Sequence, residues 1–202
     1  NKVSVLTRFS RVDKLLVMID NLTLSNKESE WGNYHERLYI GEGKPILSSR
    51  LDYILYKVKS LAPTTIVDIA GNQAVMSESV LDALPHSRVI CLDYDDIALN
   101  KGFDRLLFKG DNKRISFAVI NPFYPECNLF ENSPDVRFKS ELVMALALTH
   151  HLLLTQLYSI EHVLNTIGSY STKYVFIEFM PLGLYDSVSG QEGSVIPDWY
   201  DY

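Results

Sequence analysis

The stretch Thr64–Leu84, TTIVDIAGNQAVMSESVLDAL, sets the architecture of the chain. It runs from a short β-branched apolar segment through a tight turn with one glycine into a helical segment. The turn, Asp68-Ile69-Ala70-Gly71-Asn72-Gln73-Ala74, is narrow. Gly71 permits close approach of the backbone to a ligand or a positive φ, and alanine, the smallest alternative, stands at positions 70 and 74. The Gly-x-Gly-x-x-Gly of a pyrophosphate-binding turn is absent, and no Gly-Lys-Ser/Thr follows to make a phosphate loop. Taken alone, one glycine after a strand is equally an ordinary strand-to-helix connection.

Outward from this unit the same alternation repeats. RVICLDY, RISFAVI, ELVMALAL and KYVFIEF read as strands, and DIALNKGFDRLL and SIEHVLNTIGSY as helices, the first of them weaker. Short β-branched runs separated by amphipathic helices predict parallel strands buried on both faces, an α/β doubly wound, mostly parallel, Rossmann-like sheet. Upstream, Leu47, Leu51, Ile54, Leu55 and Val58 predict a helix over 46–61, and Val12, Leu15, Leu16 and Ile19 another over 10–22. Residues 1–45 are expected to form a small helical or lid segment and 46–202 the Rossmann domain. The polar tail GLYDSVSGQEGSVIPDWYDY supplies no strand, so the antiparallel hairpin that often ends such sheets is expected to be missing. A chain without a starting Met and without that hairpin is expected to be trimmed, or one part of a larger protein.

With 202 residues, 47% of them hydrophobic, there is enough apolar surface for one domain with a core. A net charge of -6 argues against a nucleic-acid partner, whose phosphates need clustered Lys and Arg. No run reaches the roughly 18–20 apolar residues of a membrane span, and the N-terminus lacks a signal-peptide core. Two cysteines, Cys91 and Cys127, form no disulfide framework and read as free thiols in a reducing, cytoplasmic compartment.

In an open α/β sheet, ligands bind beyond the carboxyl ends of the strands. Asp93 ends the second strand, 25 residues after Asp68, where a carboxylate accepts hydrogen bonds from ribose hydroxyls. Asp95 and Asp96 follow and are equally helix caps. Asn121, before Pro122, reads either as an adenine-edge amide or as a turn residue. His150 and His151 follow the fourth strand; histidine suits proton transfer near neutral pH, and on a strand end only one of two neighbours faces the pocket. Either histidine is alternatively structural. No set of ligands at zinc spacing is present, so no metal is expected. Glu178 ends the fifth strand as a candidate substrate ligand or base, or else the partner of Arg137 or Lys139 in a salt bridge.

Taken together, VDIAGNQA, LDYD, ALALTHHL and FIEFMP, with Trp31-Gly32-Asn33-Tyr34 before the first strand, resemble class I S-adenosylmethionine-dependent methyltransferases. The similarity is greatest to a bacterial branch of nodulation and surface-polysaccharide methyltransferases, and covers roughly residues 30–185. The resemblance implies S-adenosylmethionine as cofactor. Its methionine end would lie against Asp68, Ala70, Gly71 and Asn72, its ribose on Asp93, and its adenine near Tyr94, Asp95 and Asn121. Trp31 and Tyr34 would cover it, and His150, His151 and Glu178 would border the acceptor, with His151 the first choice as base. The implied acceptor is an oxygen or nitrogen of a small molecule or sugar. Ala70 and Ala74 replace two family glycines, which opens the alternative of a catalytically degenerate, methyltransferase-like binding or scaffold domain.

Overall fold

The computed structural model describes residues 29, 48–109, 114–125 and 131–178. The helix expected over 10–22, the Trp31 and Tyr34 lid, Cys127 and the tail after Glu178 lie outside the described residues, as does most of the proposed N-terminal segment.

Helix α1 (Ser48–Leu61) leads into β1 (Thr65–Ile69), then α2 (Val75–Ala83), β2 (Arg88–Asp93), α3 (Asp96–Lys109) and β3 (Ile115–Val119). A single turn of helix, α4 (Pro134–Arg137), precedes β4 (Ser140–Ala145); a π-helical turn (His151–Thr155) and α5 (Ile160–Ser169) lead to β5 (Ser171–Ile177). All strands pair in parallel, in the order β3-β2-β1-β4-β5. The order reverses between β1 and β4, and such a reversal opens a crevice at the carboxyl edge of the sheet.

Strand periodicity sorts the core into two layers. Ile66 on β1, Val89 and Cys91 on β2, and Leu142 and Met144 on β4 point to one face, where Ile54 and Val58 of α1 and Val80 of α2 meet them. Val67, Ile69, Leu92, Val143 and Ala145 point to the other, against Val163 and Ile167 of α5. The central strands β2, β1 and β4 are buried on both faces, which is why they read as nearly continuous apolar runs; the edge strands β3 and β5 are instead partly to largely exposed, so the expectation of burial on both faces holds only for the centre of the sheet. Within β1, Asp68 stands among apolar residues: it shares the α1/α2/α3 face with Ile66 and is buried.

The helices end where the sequence changes character. At the end of α1, Ala62 takes the left-handed conformation (φ 45°) and its N–H donates to the Val58 carbonyl before Pro63 prevents continuation. Asp95 caps α3, its Oδ1 accepting from the Ala98 N–H at 3.0 Å. Ser159 caps α5 through the His162 N–H at 3.1 Å.

Helix α3 reads as the weaker helix in the sequence, and its glycine has a packing role: a Cβ on Gly102 would lie 2.6 Å from the Gln73 carbonyl oxygen. Gly102 lets α3 press directly on the turn after β1. Arg105 completes the clamp, donating to the Gln73 carbonyl at 2.8 Å and pairing with Glu78 of α2, which Lys109 also reaches at 2.8 Å.

Two glycine substitutions separate packing from helix propensity. Gly168 on α5 has no atom within 4 Å of its missing Cβ, so Gly168→Ala should stabilise the chain by about 1 kcal/mol, the propensity difference. Gly102→Ala should instead destabilise it by about 1–2 kcal/mol, because overpacking against rigid backbone outweighs that gain. Urea unfolding of both variants measures this; a stabilised Gly102→Ala would remove the clamp.

Candidate active site at the carboxyl edge

The turn after β1 is held from three sides. The Gly71 N–H donates to the Leu92 carbonyl at 3.2 Å, the Asn72 N–H to Asp93 Oδ2 at 2.9 Å, and the Ala74 N–H to the Gly71 carbonyl at 2.8 Å. The other oxygen of Asp93 accepts from the Asp95 N–H at 2.9 Å. One carboxylate thus ties the β1 turn to the β2 turn. Asp93 is 4% exposed, and burial raises its pKa, an effect opposed by the Asp95 and Asn72 N–H groups. Asp95 is 6% exposed; while Oδ1 caps α3, its buried Oδ2 has no partner among the described residues.

The turn's backbone is strained in a pattern the sequence does not announce. Ala70, Asn72 and Ala74 have φ of 58°, 51° and 59°. Gly71 lies outside the left-handed region, so the positive φ considered for it falls on its neighbours. It is glycine for space: a Cβ there would sit 2.6 Å from Cys91 Sγ and 2.8 Å from Asp68 Cγ. The alanines at 70 and 74 occupy backbone that favours glycine, at roughly 1–2 kcal/mol for an L-residue. Ala74 recovers part of this through its fully buried methyl.

Asp68 lies beneath the turn, its Oδ2 accepting from Ser77 Oγ at 2.6 Å. Burial pushes its carboxyl up to about 7, with the Ser77 bond opposing and Asp93 adding to the rise. Cys91 shares this region; burial, then Asp68 and Asp93, push its thiol well up, which marks an inert packed cysteine. Sequence reasoning missed Ser77, Gly102 and Arg105. Only the glycine inside a helical pattern was a local signal for any of them.

The histidines differ from expectation. Strand β4 ends at Ala145, and His150 and His151 lie on helical backbone at the start of the π turn. Their side chains are not opposed as on a strand: the ring centroids are 4.1 Å apart. His150 is 7% exposed and His151 half-buried, so His151 has the greater access. Glu178 also departs from one reading. Arg137 pairs with Glu131 at 3.4 Å, whereas Glu178 Oε2 accepts from the Ala147 N–H at 2.6 Å. Ala147 has φ 52°, and the Thr149 hydroxyl donates to the Glu178 carbonyl at 2.7 Å, joining the β4 and β5 ends.

Asn121 follows Ile120, whose N–H donates to the Asp93 carbonyl at 2.7 Å, so it lies at the β3 end beside the end of β2. Its Oδ1 accepts from the Phe123 N–H at 3.0 Å, a local Asx turn. Tyr94, between Asp93 and Asp95, is exposed. Among the described residues no group of three or more His, Cys, Asp or Glu is placed to hold a metal ion, and no helix is long and apolar enough to cross a membrane.

No family model matches the chain, and no curated protein does. Solved structures match its fold. A candidate O-methyltransferase from Nostoc punctiforme superposes with a TM-score of 0.54 at 17% identity, over 74% of this chain and 40% of that one. The bifunctional kinase-methyltransferase WbdD aligns over 64% of this chain and 28% of its own, with a TM-score of 0.49 and 17% identity. Human N-acetylserotonin methyltransferase, solved with S-adenosylmethionine, aligns over 62% and 31%, at 0.43 and 11%. This chain spans two fifths of the length of the Nostoc protein, and at such identity the likeness is one of fold.

Two substitutions probe the turn. Ala70→Gly should raise stability by about 1 kcal/mol by relieving left-handed strain, whereas Gly71→Ala should lower it by about 2 kcal/mol or more through the Cys91 and Asp68 clashes. Denaturant titration reads both; the opposite order would refute the assigned backbone.

The raised Asp68 carboxyl makes a signed prediction. Folding holds a proton on Asp68 between its ordinary value of 3.8 and about 7, so its contribution is present below that window and lost as pH rises through it. Asp68→Asn should flatten the fall in stability between about pH 4 and 7. An unchanged slope in urea melts across that range would show that Asp68 ionises normally.

Proposed function

We propose that the chain is an S-adenosylmethionine-dependent methyltransferase acting on an oxygen or nitrogen of a small-molecule or sugar acceptor. The observation that carries this is the Asp93 bridge: a buried acid at the β2 terminus, bonded to the narrow β1 turn, at the crevice where the strand order reverses.

The residues present fit that cofactor. Asp93 accepts the Asn72, Asp95 and Tyr94 backbone N–H groups, and a carboxylate, with about four acceptor sites, still retains capacity for a ribose hydroxyl. The buried, unpartnered Asp95 Oδ2 is an acceptor suited to a donor from the same ligand. Tyr94 offers an exposed ring beside them. On the methionine side, the Ala70–Ala74 turn offers compact backbone and no phosphate cradle: the Gly71, Asn72 and Ala74 N–H groups already have partners within the fold. When bound, the cofactor would supply an activated methyl group for transfer to the acceptor, whose proton would pass to a base of the chain.

The chain's own part is to orient the acceptor and take that proton. We assign His151 as base, because it is the more accessible of the two ring-packed histidines, with His150 behind it. Glu178, fixed by the Ala147 N–H, lies at the end of β5 as an acceptor ligand and alternate base. An oxygen acceptor agrees with the description of the Nostoc structure.

Calorimetric titration with S-adenosylmethionine and S-adenosylhomocysteine is the test. Micromolar binding of both is expected, weakened at least tenfold in Asp93→Asn while the far-ultraviolet spectrum is unchanged. A folded chain that binds neither would instead be a methyltransferase-like scaffold. With labelled methyl transfer to an acceptor, His151→Ala should keep cofactor affinity and lose roughly 10²–10⁴-fold in rate.

A further inference from the structure

A cavity of about 200 Å³ opens between α1 and the carboxyl ends of β4 and β5. Tyr53, Ile54, Leu146 and Phe176 form its largely carbon walls, with Lys57 on the α1 side and Glu178 at the strand end. The volume decides what fits. An apolar protein cavity of ~150 Å³ holds a benzene molecule, so this one has room for a single substituted aromatic ring.

The two charged groups give the cavity a direction. The Lys57 ammonium lies over the Tyr53 and Tyr56 rings, 5.4 and 5.7 Å from their centroids. Among the described residues no carboxylate lies within 4 Å of it, unlike Arg105, Lys109, Arg137 and Lys173, which all have acidic partners. A cation on the wall of an apolar cavity, stacked on ring faces and with no carboxylate within 4 Å among the described residues, fits an anionic group. Glu178 is held in place by the Ala147 N–H at 2.6 Å and repels a second anion, but accepts from a hydroxyl.

We infer that this cavity receives a monocyclic hydroxyaryl carboxylate, its ring between Tyr53, Ile54 and Phe176, its carboxylate toward Lys57 and its hydroxyl toward Glu178. That this ligand is the methyl acceptor rests on the proposed function; that it binds does not.

The test is calorimetry on the full chain with 3- and 4-hydroxybenzoate, p-cresol and methyl glucoside, with and without S-adenosylhomocysteine. A hydroxybenzoate should bind at least tenfold more tightly than p-cresol, and methyl glucoside should not bind. Lys57→Met should erase the hydroxybenzoate advantage and leave p-cresol unchanged; Lys57→Arg should restore most of it. Tyr53→Ala should weaken both aromatics. The inference is overturned if neither hydroxybenzoate binds, if Lys57→Met weakens hydroxybenzoate and p-cresol alike, or if the glucoside binds best. Hydroxybenzoate binding without cofactor binding keeps the cavity assignment and removes the methyltransferase reading; cofactor binding without hydroxybenzoate does the reverse.

Discussion

The Asp93 carboxylate accepts the Asn72 N–H on one oxygen and the Asp95 N–H on the other, and the carboxyl edge of the sheet is organised around it. These bonds hold two connections that belong to different βα units at one separation. Asp95, positioned in this way, caps α3. Helix α3 then lies close enough that Gly102 meets Gln73 and Arg105 reaches its carbonyl. A buried carboxylate costs free energy unless its oxygens are satisfied, and here backbone amides satisfy them while the geometry leaves acceptor capacity at the crevice.

The same edge holds most of the left-handed backbone. Ala70, Asn72, Ala74 and Ala147, four of the six described non-glycine residues with positive φ, lie where strands give way to connections at the carboxyl end; Ala62 and Leu157 lie elsewhere. Such backbone persists only where surrounding bonds over-determine it. The turn has its cross-strand bonds to Leu92 and Asp93, and Ala147 has the carboxylate of Glu178. The sites at β1 and at β4 are therefore preorganised by the same device, a carboxylate from the neighbouring strand end binding a strained backbone amide.

Much of this was legible in the chain. Continuous β-branched runs point to a parallel sheet, and its central strands are covered on both faces, although the edge strands β3 and β5 are not; Asp93 stood out because an acid ended an apolar strand. Less visible was anything fixed by a distant partner. Gly102 weakens a helix locally, yet its value lies in contact with Gln73, far away in sequence. Gly71 reads as a source of left-handed backbone, but that conformation belongs to Ala70, Asn72 and Ala74, and the glycine is needed against Cys91 and Asp68. The histidine pair lies beyond the strand, which the sequence hides: the run Leu142 to Leu148 is uniformly apolar, so nothing in its pattern shows that the strand stops at Ala145. Glu178 offered a choice of partners, and neither Arg137 nor Lys139 holds it; the Ala147 backbone amide does, which composition cannot reveal.

The most direct measurement of the central claim is amide hydrogen exchange of the chain with and without S-adenosylhomocysteine. Ligand seated on the Asp93 bridge predicts slowed exchange in two peptides at once, those spanning residues 68–76 and 92–99. Protection of only one, or protection confined to β3 and α4, would contradict a cofactor site built on the acid that joins the two turns.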